Sequence, residues 1–492
     1  MASTLPDYVA SAKPVPLANR IAWYKSTAQT YAGIMLWFVF WTSVPKGDGT
    51  PGGTLSQGLW PAFVGLVAAA FFCHVLYYLA PALLGLRTGL PLYIVGTSTY
   101  GVVGGFLMPG FLMGLLQFGW LGVSAFEASK LLCAPFFGNE PLLTVGTPAH
   151  MAVSAVWAIA AAFLGVKGIK YVARVATYFP VIPLAILIVL IAVAYPGIKS
   201  FDPAKTTDEG LRAMQAARAE AEQAQKEVPP LKDPLRTDWA VIATLLTMII
   251  GFFATAGAAG ADFGMNNRNK NDVQLGGLVG ITGATILAGG LALLIVAGAH
   301  GHGLGVGIMD IPTLMPKLLN ETTGRVFMYL LAIAAFPPAC FSSFIAANSF
   351  KTTLPKVPPL ISVGLGTLVS IALAASGIAG KVQDVFVVIG ASFGPICGAM
   401  AADYLLAGCK WAGPRAGFNP AGWISWAVGF VIGAAGLVAK YVPQVAQFKD
   451  YIEMIPVPPL SAMIVGFVLY FILAGIGLKT RTLEMPETIG PA

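Results

Sequence analysis

Long apolar runs, separated by short polar stretches, recur along almost the whole chain of 492 residues. A helix crosses the roughly 30 Å hydrocarbon core of a bilayer in about 20 residues and satisfies its own backbone hydrogen bonds there. A membrane β-barrel would alternate in polarity instead, and runs such as LWPAFVGLVAAAFFCHVLYYLA at 59–80 do not alternate. The pattern predicts twelve spanning helices, near 28–45, 59–85, 103–133, 150–166, 174–196, 239–262, 274–300, 325–348, 358–379, 382–408, 421–442 and 456–478.

One polar stretch, at 199–238, is much longer than the others. It contains EGLRAMQAARAEAEQAQKEVPPLKDPLR, which predicts an exposed helix that ends before Pro229 and Pro230. Mixed charges of this kind are typical of a solvated helix face, and a partner-binding surface is the alternative. The stretch divides the chain into successive parts: an amino-terminal segment at 1–27, a first five-helix unit at 28–196, the loop insertion at 197–238, a second five-helix unit at 239–408, two additional helices at 409–480 and a tail at 481–492.

Composition and charge placement favour a membrane protein over other classes. With 57% hydrophobic and only 10% charged residues, the chain cannot cover a water-soluble surface. The net charge of +7 lies mostly in alternate loops, for example at Lys410 and Arg415 after the tenth span. That bias predicts that both termini are cytoplasmic and that the chain crosses the cell membrane an even number of times. Five scattered cysteines without a CxxC pair predict neither a disulfide framework nor a metal site.

Glycines in two of the predicted spans suggest interrupted helices. Many transporters consist of two inverted five-helix repeats, and the first helix of each repeat is broken near the membrane midplane. Span one contains Gly33, and span six contains Gly251 followed by the small-residue run ATAGAAGAD. We therefore expect the interruptions near these glycines. Close helix packing is the alternative use of glycine in membrane helices.

Polar and aromatic residues in spans three and six could bind a flat solute. Gln117 and Trp120 are three residues apart, so an amide and an indole share one helical face. In span six, Phe252, Phe253 and Thr255 follow Gly251 and add two rings and a hydroxyl. For both sets, ordinary packing with an interhelical hydrogen bond is the alternative interpretation.

Span eight carries a third polar group, in the run SSFIAAN. The hydroxyls of Ser342 and Ser343, with a nearby carbonyl such as that of Ala339, are hard oxygen ligands of the type that a small cation prefers. Asn348 can both donate and accept hydrogen bonds, which suits the edge of a nucleobase. Serines in membrane helices also bond to their own backbone, and this is the alternative for both serines.

These runs together resemble the type-one nucleobase:cation symporters, and most closely the bacterial cytosine permeases. The chain is similar to that family in five motifs that occur in the family's order, GGTLSQGL at 52–59, LLQFGWLGV at 115–123, GFFATAGAAGADFGMNNRN at 251–269, SSFIAAN at 342–348 and FGPICGAMAADYLL at 393–406. The resemblance covers most of the chain. It implies an all-α, leucine-transporter-type fold, with a five-plus-five inverted repeat and two carboxy-terminal helices.

The resemblance also implies roles for individual residues. Trp120 and Phe253 would sandwich the ring of the substrate. Its polar edge would be read by Gln117, Thr255, Asn348 and the backbone of Gly251. Phe252, with its aromatic face, completes the predicted substrate-binding set. Sodium would bind between span-one carbonyls and span-eight oxygens, at Gly33, Trp37, Ala339, Ser342 and Ser343. Departures from the family are the longer loop at 199–238 and an inserted stretch at 45–51.

Two buried acids need separate interpretations. Glu127 lies seven residues beyond Trp120 on the same face of span three, so it is a proton-relay candidate. The alternative is an ion pair between Glu127 and Lys130. Asp403, near the end of span ten, is expected to fix helix packing rather than to bind solute.

The sequence thus predicts a cation-coupled symporter for a nucleobase or a related planar heterocycle. The alternative is a symporter of the same fold for an amino acid or another small solute. We expect no enzymatic activity, because no nucleophile–base pair or HExxH-like spacing is present in the sequence. No cofactor is expected besides a sodium ion or a proton. The expected partners are a small heterocycle and the lipid bilayer, without nucleic acid, and a monomer is compatible with this function.

Overall fold

A computed structural model describes residues 5–167, 178–223 and 230–485. Within these ranges, ten helices are long and apolar enough to cross a membrane. The other two predicted spans are also helical: span one is broken into two pieces, and span nine is a shorter helix of 17 residues. The predicted start of span five at residue 174 lies outside the described residues.

Six spans are divided into shorter pieces, and the rest are continuous. The divided spans are one (Thr27–Met35, Phe38–Lys46), two (Leu59–Phe72, Cys73–Tyr78, Leu79–Thr88), three (Thr97–Gly105, Phe106–Leu112, Met113–Cys133), six (Asp238–Ala258, Gly260–Gly264), seven (Lys270–Gly277, Leu278–Gly283, Ala284–Gly301) and eight (Glu321–Ala334, Phe336–Thr353). The continuous spans are four (Pro148–Lys167), five (Val181–Ala194), nine (Pro359–Ala375), ten (Val382–Leu406), eleven (Pro420–Tyr441) and twelve (Pro458–Gly475).

Local chemistry explains where several spans begin. Proline occupies the first helical position of spans nine, eleven and twelve, where its missing N–H is not needed. Span six begins after Thr237, whose hydroxyl accepts a hydrogen bond from the Ala240 N–H at 3.1 Å. Asn320 caps span eight in the same way, through the Thr323 N–H at 2.9 Å. These caps satisfy amides that the helix itself leaves unpaired.

Span ten lies at the centre of the bundle. In its most apolar window 78% of residues are buried, against 33% in each of spans four, five, eleven and twelve. It packs against spans six, eleven and twelve. Small residues permit this close packing: a Cβ added to Gly398 would lie 2.1 Å from the Met463 carbonyl oxygen of span twelve.

Both expected interruptions occur, but neither lies at the predicted glycine. Span one is helical through Met35 and leaves the helix at Trp37, whose backbone is extended (φ −64°, ψ 128°). Span six is helical through Gly251 and ends at Ala258, before a short helix at Gly260–Gly264. The break in span six therefore lies within the small-residue run at 254–262, and Gly251 itself is helical. A Cβ added to Gly251 would lie 2.7 Å from the Phe386 carbonyl oxygen, so this glycine serves close packing with span ten.

The long polar stretch forms the predicted exposed helix, at Pro203–Gln223. We call the side of the molecule that carries this helix the cap face. Residues 224–229, which include Pro229, lie outside the described residues, and the chain is described again from Pro230 to the start of span six.

On the opposite face, a buried polar network joins span three to the last three spans. Asp403 accepts a hydrogen bond from the Tyr470 hydroxyl at 2.6 Å and pairs with the Arg415 guanidinium at 3.5 Å. Arg415 also donates to the Ser98 carbonyl at 2.7 Å. Gly101 has φ +80°, and a Cβ there would lie 2.2 Å from the Gly417 carbonyl oxygen. The structure thus confirms that Asp403 fixes helix packing.

Candidate functional site

An aromatic cluster lies where span one leaves its helix. The ring of Trp37 is 5.9 Å from Trp120 of span three and 6.3 Å from Phe252 of span six, measured between centroids. Trp120 and Phe252 are 5.2 Å apart, and both also contact Phe386 of span ten, at 5.7 Å and 5.3 Å. Phe40 adds a fifth ring, 5.0 Å from Phe252. The cluster therefore joins four spans at the interruption of span one.

The five rings are buried, with at most 8% of any residue exposed. Half of these ring pairs are edge-to-face, a favoured arrangement for aromatic pairs, and the other half are tilted. Trp120 and Phe252 are in direct contact at 79° between ring planes, so a flat guest between them would require the two rings to separate. The described conformation is thus closed at this point.

Polar groups around the cluster retain hydrogen-bonding capacity. The Trp37 indole N–H is buried and has no hydrogen-bond partner among the described residues. Gln117 is buried, and its amide donates only to the Met113 sulfur at 3.5 Å, a weak acceptor. The Trp120 indole N–H donates to the Thr255 hydroxyl at 3.3 Å and so links spans three and six. An unpaired donor and a weakly paired amide therefore lie beside the aromatic rings.

Phe253 takes a different position from the one that the resemblance implies. Its ring packs against Tyr31 of span one, at 5.7 Å, and a Cβ added to Gly257 would lie 3.2 Å from it. Adjacent residues on a helix point about 100° apart, so only one of the two phenylalanines can face Trp120. Phe252 is the one in ring contact with Trp120. The expected pairing of Trp120 with Phe253 is corrected accordingly.

Asn348 of span eight is exposed, whereas its neighbour Ser349 is buried against span three. The Ser349 hydroxyl donates to the Gly110 carbonyl, and a Cβ added to Gly114 would lie 2.8 Å from the same hydroxyl. Asn348 therefore lies one residue from a tight contact with the helix that carries Gln117. No direct bond from its side chain to the aromatic cluster is present in the described structure.

The residues expected to bind a cation are only partly arranged for it. The Ser343 hydroxyl bonds to the Ala339 carbonyl at 3.3 Å, the alternative use of a membrane serine. Ser342 is partly exposed and one position away on the same helix. In span one, the Trp37 carbonyl already accepts the Phe40 N–H at 3.0 Å, and a Cβ added to Gly33 would lie 3.4 Å from Pro180 of the segment before span five.

Glu127 forms an ion pair with Lys130 at 2.7 Å, and both side chains are largely buried, at 13% and 6% exposure. Lys130 is one helical turn further along span three and lies 5.6 Å from the Phe126 ring centroid. This contact favours the ion pair over a proton relay, because the acid already has a buried counter-charge.

Sequence reasoning missed three members of the cluster: Phe40, Phe386 and the side chain of Trp37, of which only the carbonyl was considered. Phe40 follows Trp37 by three residues, and this spacing was the available indication in the sequence. Phe386 lies in a uniformly apolar stretch of span ten, and no local pattern distinguishes it from its neighbours.

No protein-family model matches the chain, and no curated protein matches it. Solved structures of the same fold do match. Mhp1, described as a nucleobase-cation-symport-1 family transporter in a closed conformation with bromovinylhydantoin bound, aligns with a TM-score of 0.63 and 14% identity, over 98% of both chains. A Na⁺-coupled sialic acid symporter in a substrate-bound outward-open state aligns with a TM-score of 0.53 and 12% identity, over 97% of this chain and 93% of that one. The chain therefore has the leucine-transporter-type fold.

Proposed function

We propose that this chain is a secondary active transporter that carries a nucleobase or a related planar heterocycle, coupled to sodium or protons. The observation that carries the proposal is the aromatic cluster at the interruption of span one, with the unpaired Trp37 N–H beside it. A buried donor without a partner is unfavourable by about 1–3 kcal/mol. A ligand with a hydrogen-bond acceptor on a flat ring would relieve this deficit and stack on the neighbouring rings.

The fold alone does not select this substrate, because it is shared with a sialic acid symporter and with the hydantoin-bound Mhp1. The chemistry of the cluster supports a planar ring. Aromatic rings on four different spans suit a flat, delocalised ring better than a flexible chain or a sugar. Alternating access in this fold class occurs around a site at the interrupted helices, which is where the cluster lies.

The proposed substrate lies between Trp120 and Phe252 once these rings separate. Its edge then meets Gln117 of span three and the Trp37 indole N–H, while Thr255 holds the Trp120 indole in place. Asn348 is proposed to contact the edge of the substrate. The next residue of span eight, Ser349, already bonds to span three, which carries Gln117. Gly251 and Phe253 act through packing in this proposal.

The coupling ion is proposed to bind at span eight. Ser342, Ser343 and the Ala339 carbonyl supply three oxygens within two helical turns, of a type that suits sodium. A carbonyl near Gly33, at the end of the first helix of span one, would complete the site when spans one and eight approach each other. Proton coupling is the alternative, and uptake measured with and without sodium across a range of pH distinguishes the two ions.

The test is uptake into proteoliposomes with a panel of cytosine, uracil, adenine, hypoxanthine, hydantoin, allantoin and several amino acids, with and without sodium across a range of pH. We expect one or more planar rings to be carried and Trp120→Ala to reduce that uptake at least about 100-fold, because stacking and the Thr255 link are both lost. Trp60→Ala is the matched control, because Trp60 is 78% exposed. Uptake of amino acids alone, or normal transport by Trp120→Ala, would contradict the proposal.

A further inference from the structure

The exposed helix at Pro203–Gln223 and the chain from 230 to 237 lie over the loop that follows span one; we call these residues the strap. Gly52 of the loop and Gly210 of the helix lie against each other. A Cβ added to Gly52 would lie 2.4 Å from the Thr207 hydroxyl, and one added to Gly210 would lie 3.0 Å from the Gly52 nitrogen. Gly52 also has φ +75°, which favours glycine. The helix is therefore seated on this loop without space for a side chain between them.

Residues 230–237 of the strap form hydrogen bonds to the same loop. The Lys232 ammonium donates to the Asp48 carbonyl. The Leu235 carbonyl accepts hydrogen bonds from the Ser56 hydroxyl at 3.0 Å and from the Gln57 amide at 2.7 Å. Because residue 238 begins span six, these bonds connect the start of span six to the segment between spans one and two.

The strap also contacts the end of span seven. A Cβ added to Gly307, in the loop after that span, would lie 2.9 Å from the Ala213 side chain. His300, in the last turn of span seven, is buried, and its Nε2 is 3.0 Å from the Ile308 carbonyl. Its Nδ1 is buried without a hydrogen-bond partner, 3.8 Å from a carboxylate oxygen of Glu209 on the strap.

These distances define two states of His300. In the neutral state, Nε2–H donates to the Ile308 carbonyl, so Nδ1 presents a lone pair towards the Glu209 carboxylate. After protonation, Nδ1–H donates to that carboxylate, and the contact becomes a charge-assisted hydrogen bond. Burial disfavours the imidazolium more than Glu209 favours it, so protonation weakens the packing of span seven against the strap.

Other charged groups near His300 modify this balance. Lys205 lies one turn before Glu209 on the strap, 4.0 Å from its carboxylate, and weakens the attraction. Asp310, in the loop after span seven, is bonded to Thr313 at 2.8 Å. Lys199 precedes the strap and is exposed, and the His302 ring packs at Gly197. Glu209 is the acid that faces the unpaired nitrogen of His300.

We propose that residues 203–223 and 230–237 form a strap that fastens spans one, two, six and seven together on the cap face, and that protonation of the buried His300 loosens it. The strap is a protonation-dependent device that acts on spans one and six, which also carry the proposed site, and it does not depend on which solute is carried. Acidification on the cap face then favours opening of the strap, because the imidazolium gains the hydration that the packed state denies it.

The test is limited proteolysis of the purified full-length protein with trypsin, which cleaves after Arg212 and Lys232 in the strap. Cleavage of a packed helix reports how often it opens. The ratio of cleavage rates of His300→Gln to the original protein is measured at each pH, so the pH dependence of trypsin itself cancels. We expect a ratio near 1 at pH 8.5 that falls to about one-fifth at pH 5.5, because this variant cannot acquire the charge. For Glu209→Gln we expect the ratio to rise at low pH instead, because the buried imidazolium loses its counter-charge.

Glu220→Gln is the matched control, because Glu220 is exposed on the same helix and should leave the ratio at 1 throughout. Gly210→Val tests separately whether the helix packs on the loop after span one. The added side chain would meet Pro51 and Gly52, so cleavage should be faster at every pH. A ratio independent of pH for both His300→Gln and Glu209→Gln would overturn the role of protonation. Unchanged cleavage of Gly210→Val would overturn the strap. Neither result depends on transport.

Discussion

Trp37 combines two properties that are usually separate in a membrane protein, a ring buried among other rings and an indole N–H without an acceptor. In the absence of ligand the unpaired donor is destabilising. The same donor becomes useful when a solute brings an acceptor. A residue of this kind should therefore show opposite effects on stability and on binding.

We expect Trp37→Phe to raise the stability of the ligand-free protein by about 1 kcal/mol and to weaken solute binding about tenfold, because the aromatic contacts remain and only the N–H is lost. Melting temperature in detergent and binding of the best-transported ring measure the two effects. Equal binding by Trp37→Phe and the original protein would show that the N–H does not meet the solute, and Trp120→Ala would still test the site itself.

Asp403 lies in the polar network of the opposite face, and its side chain is 5% exposed. Asp403→Asn leaves the buried Arg415 charge without its acid, and we expect a loss of about 3 kcal/mol of stability. The control is Asp384→Asn: this acid pairs with Lys440, which is 54% exposed, so its loss should cost less than about 1 kcal/mol. The melting temperatures of the two variants measure this difference in stability, and similar values would contradict the prediction.

At the scale of the helix, the short segment after the interruption of span six is held by glycines in both partners. A Cβ added to Gly85 of span two would lie 2.0 Å from the Ala261 carbonyl oxygen, and one added to Gly264 would lie 2.0 Å from the Ala82 carbonyl oxygen. Two reciprocal backbone contacts of this kind fix the segment against span two. Small residues therefore define the interface at both ends.

Gly85→Ala should destabilise the protein by about 1–3 kcal/mol, because the added methyl group overlaps a carbonyl oxygen that cannot move freely. The matched control is Gly119→Ala in span three, where a Cβ meets nothing within 4 Å and alanine favours the helix. Thermal unfolding of the two purified variants gives the comparison. A melting temperature for Gly85→Ala at or above that of Gly119→Ala would show that the interface is looser than these distances indicate.

At the scale of the whole molecule, the strap and Cys409 should lie on opposite sides of the membrane, because five spans, six to ten, separate them. The other four cysteines are buried, and Cys409 is partly exposed. In intact cells, a membrane-impermeant maleimide should label Arg212→Cys, while Cys409 should react only after permeabilisation. The predicted cytoplasmic termini require this order, and labelling of Cys409 in intact cells would reverse the orientation.

Much of the architecture was predictable, because a spanning helix depends on about 20 consecutive residues and on little else. The twelve helical positions and the exposed helix of the strap follow from local hydrophobicity and charge. The shared face of Gln117 and Trp120 also follows from spacing alone. The ring that faces Trp120 did not, since Phe252 and Phe253 differ only in rotation about the helix axis, and the packing of Phe253 against Tyr31 of span one fixes that rotation.

By itself, the sequence determined that the chain crosses a membrane many times, where its polar helix lies and which residue types are available inside the bundle. Each of these properties depends on neighbours along the chain. Tertiary structure decided where spans one and six break, which rings meet and which buried groups are left unpaired. Those outcomes depend on contacts between distant residues, such as the Phe386 carbonyl against Gly251 and the Glu209 carboxylate beside His300, and no local pattern encodes them.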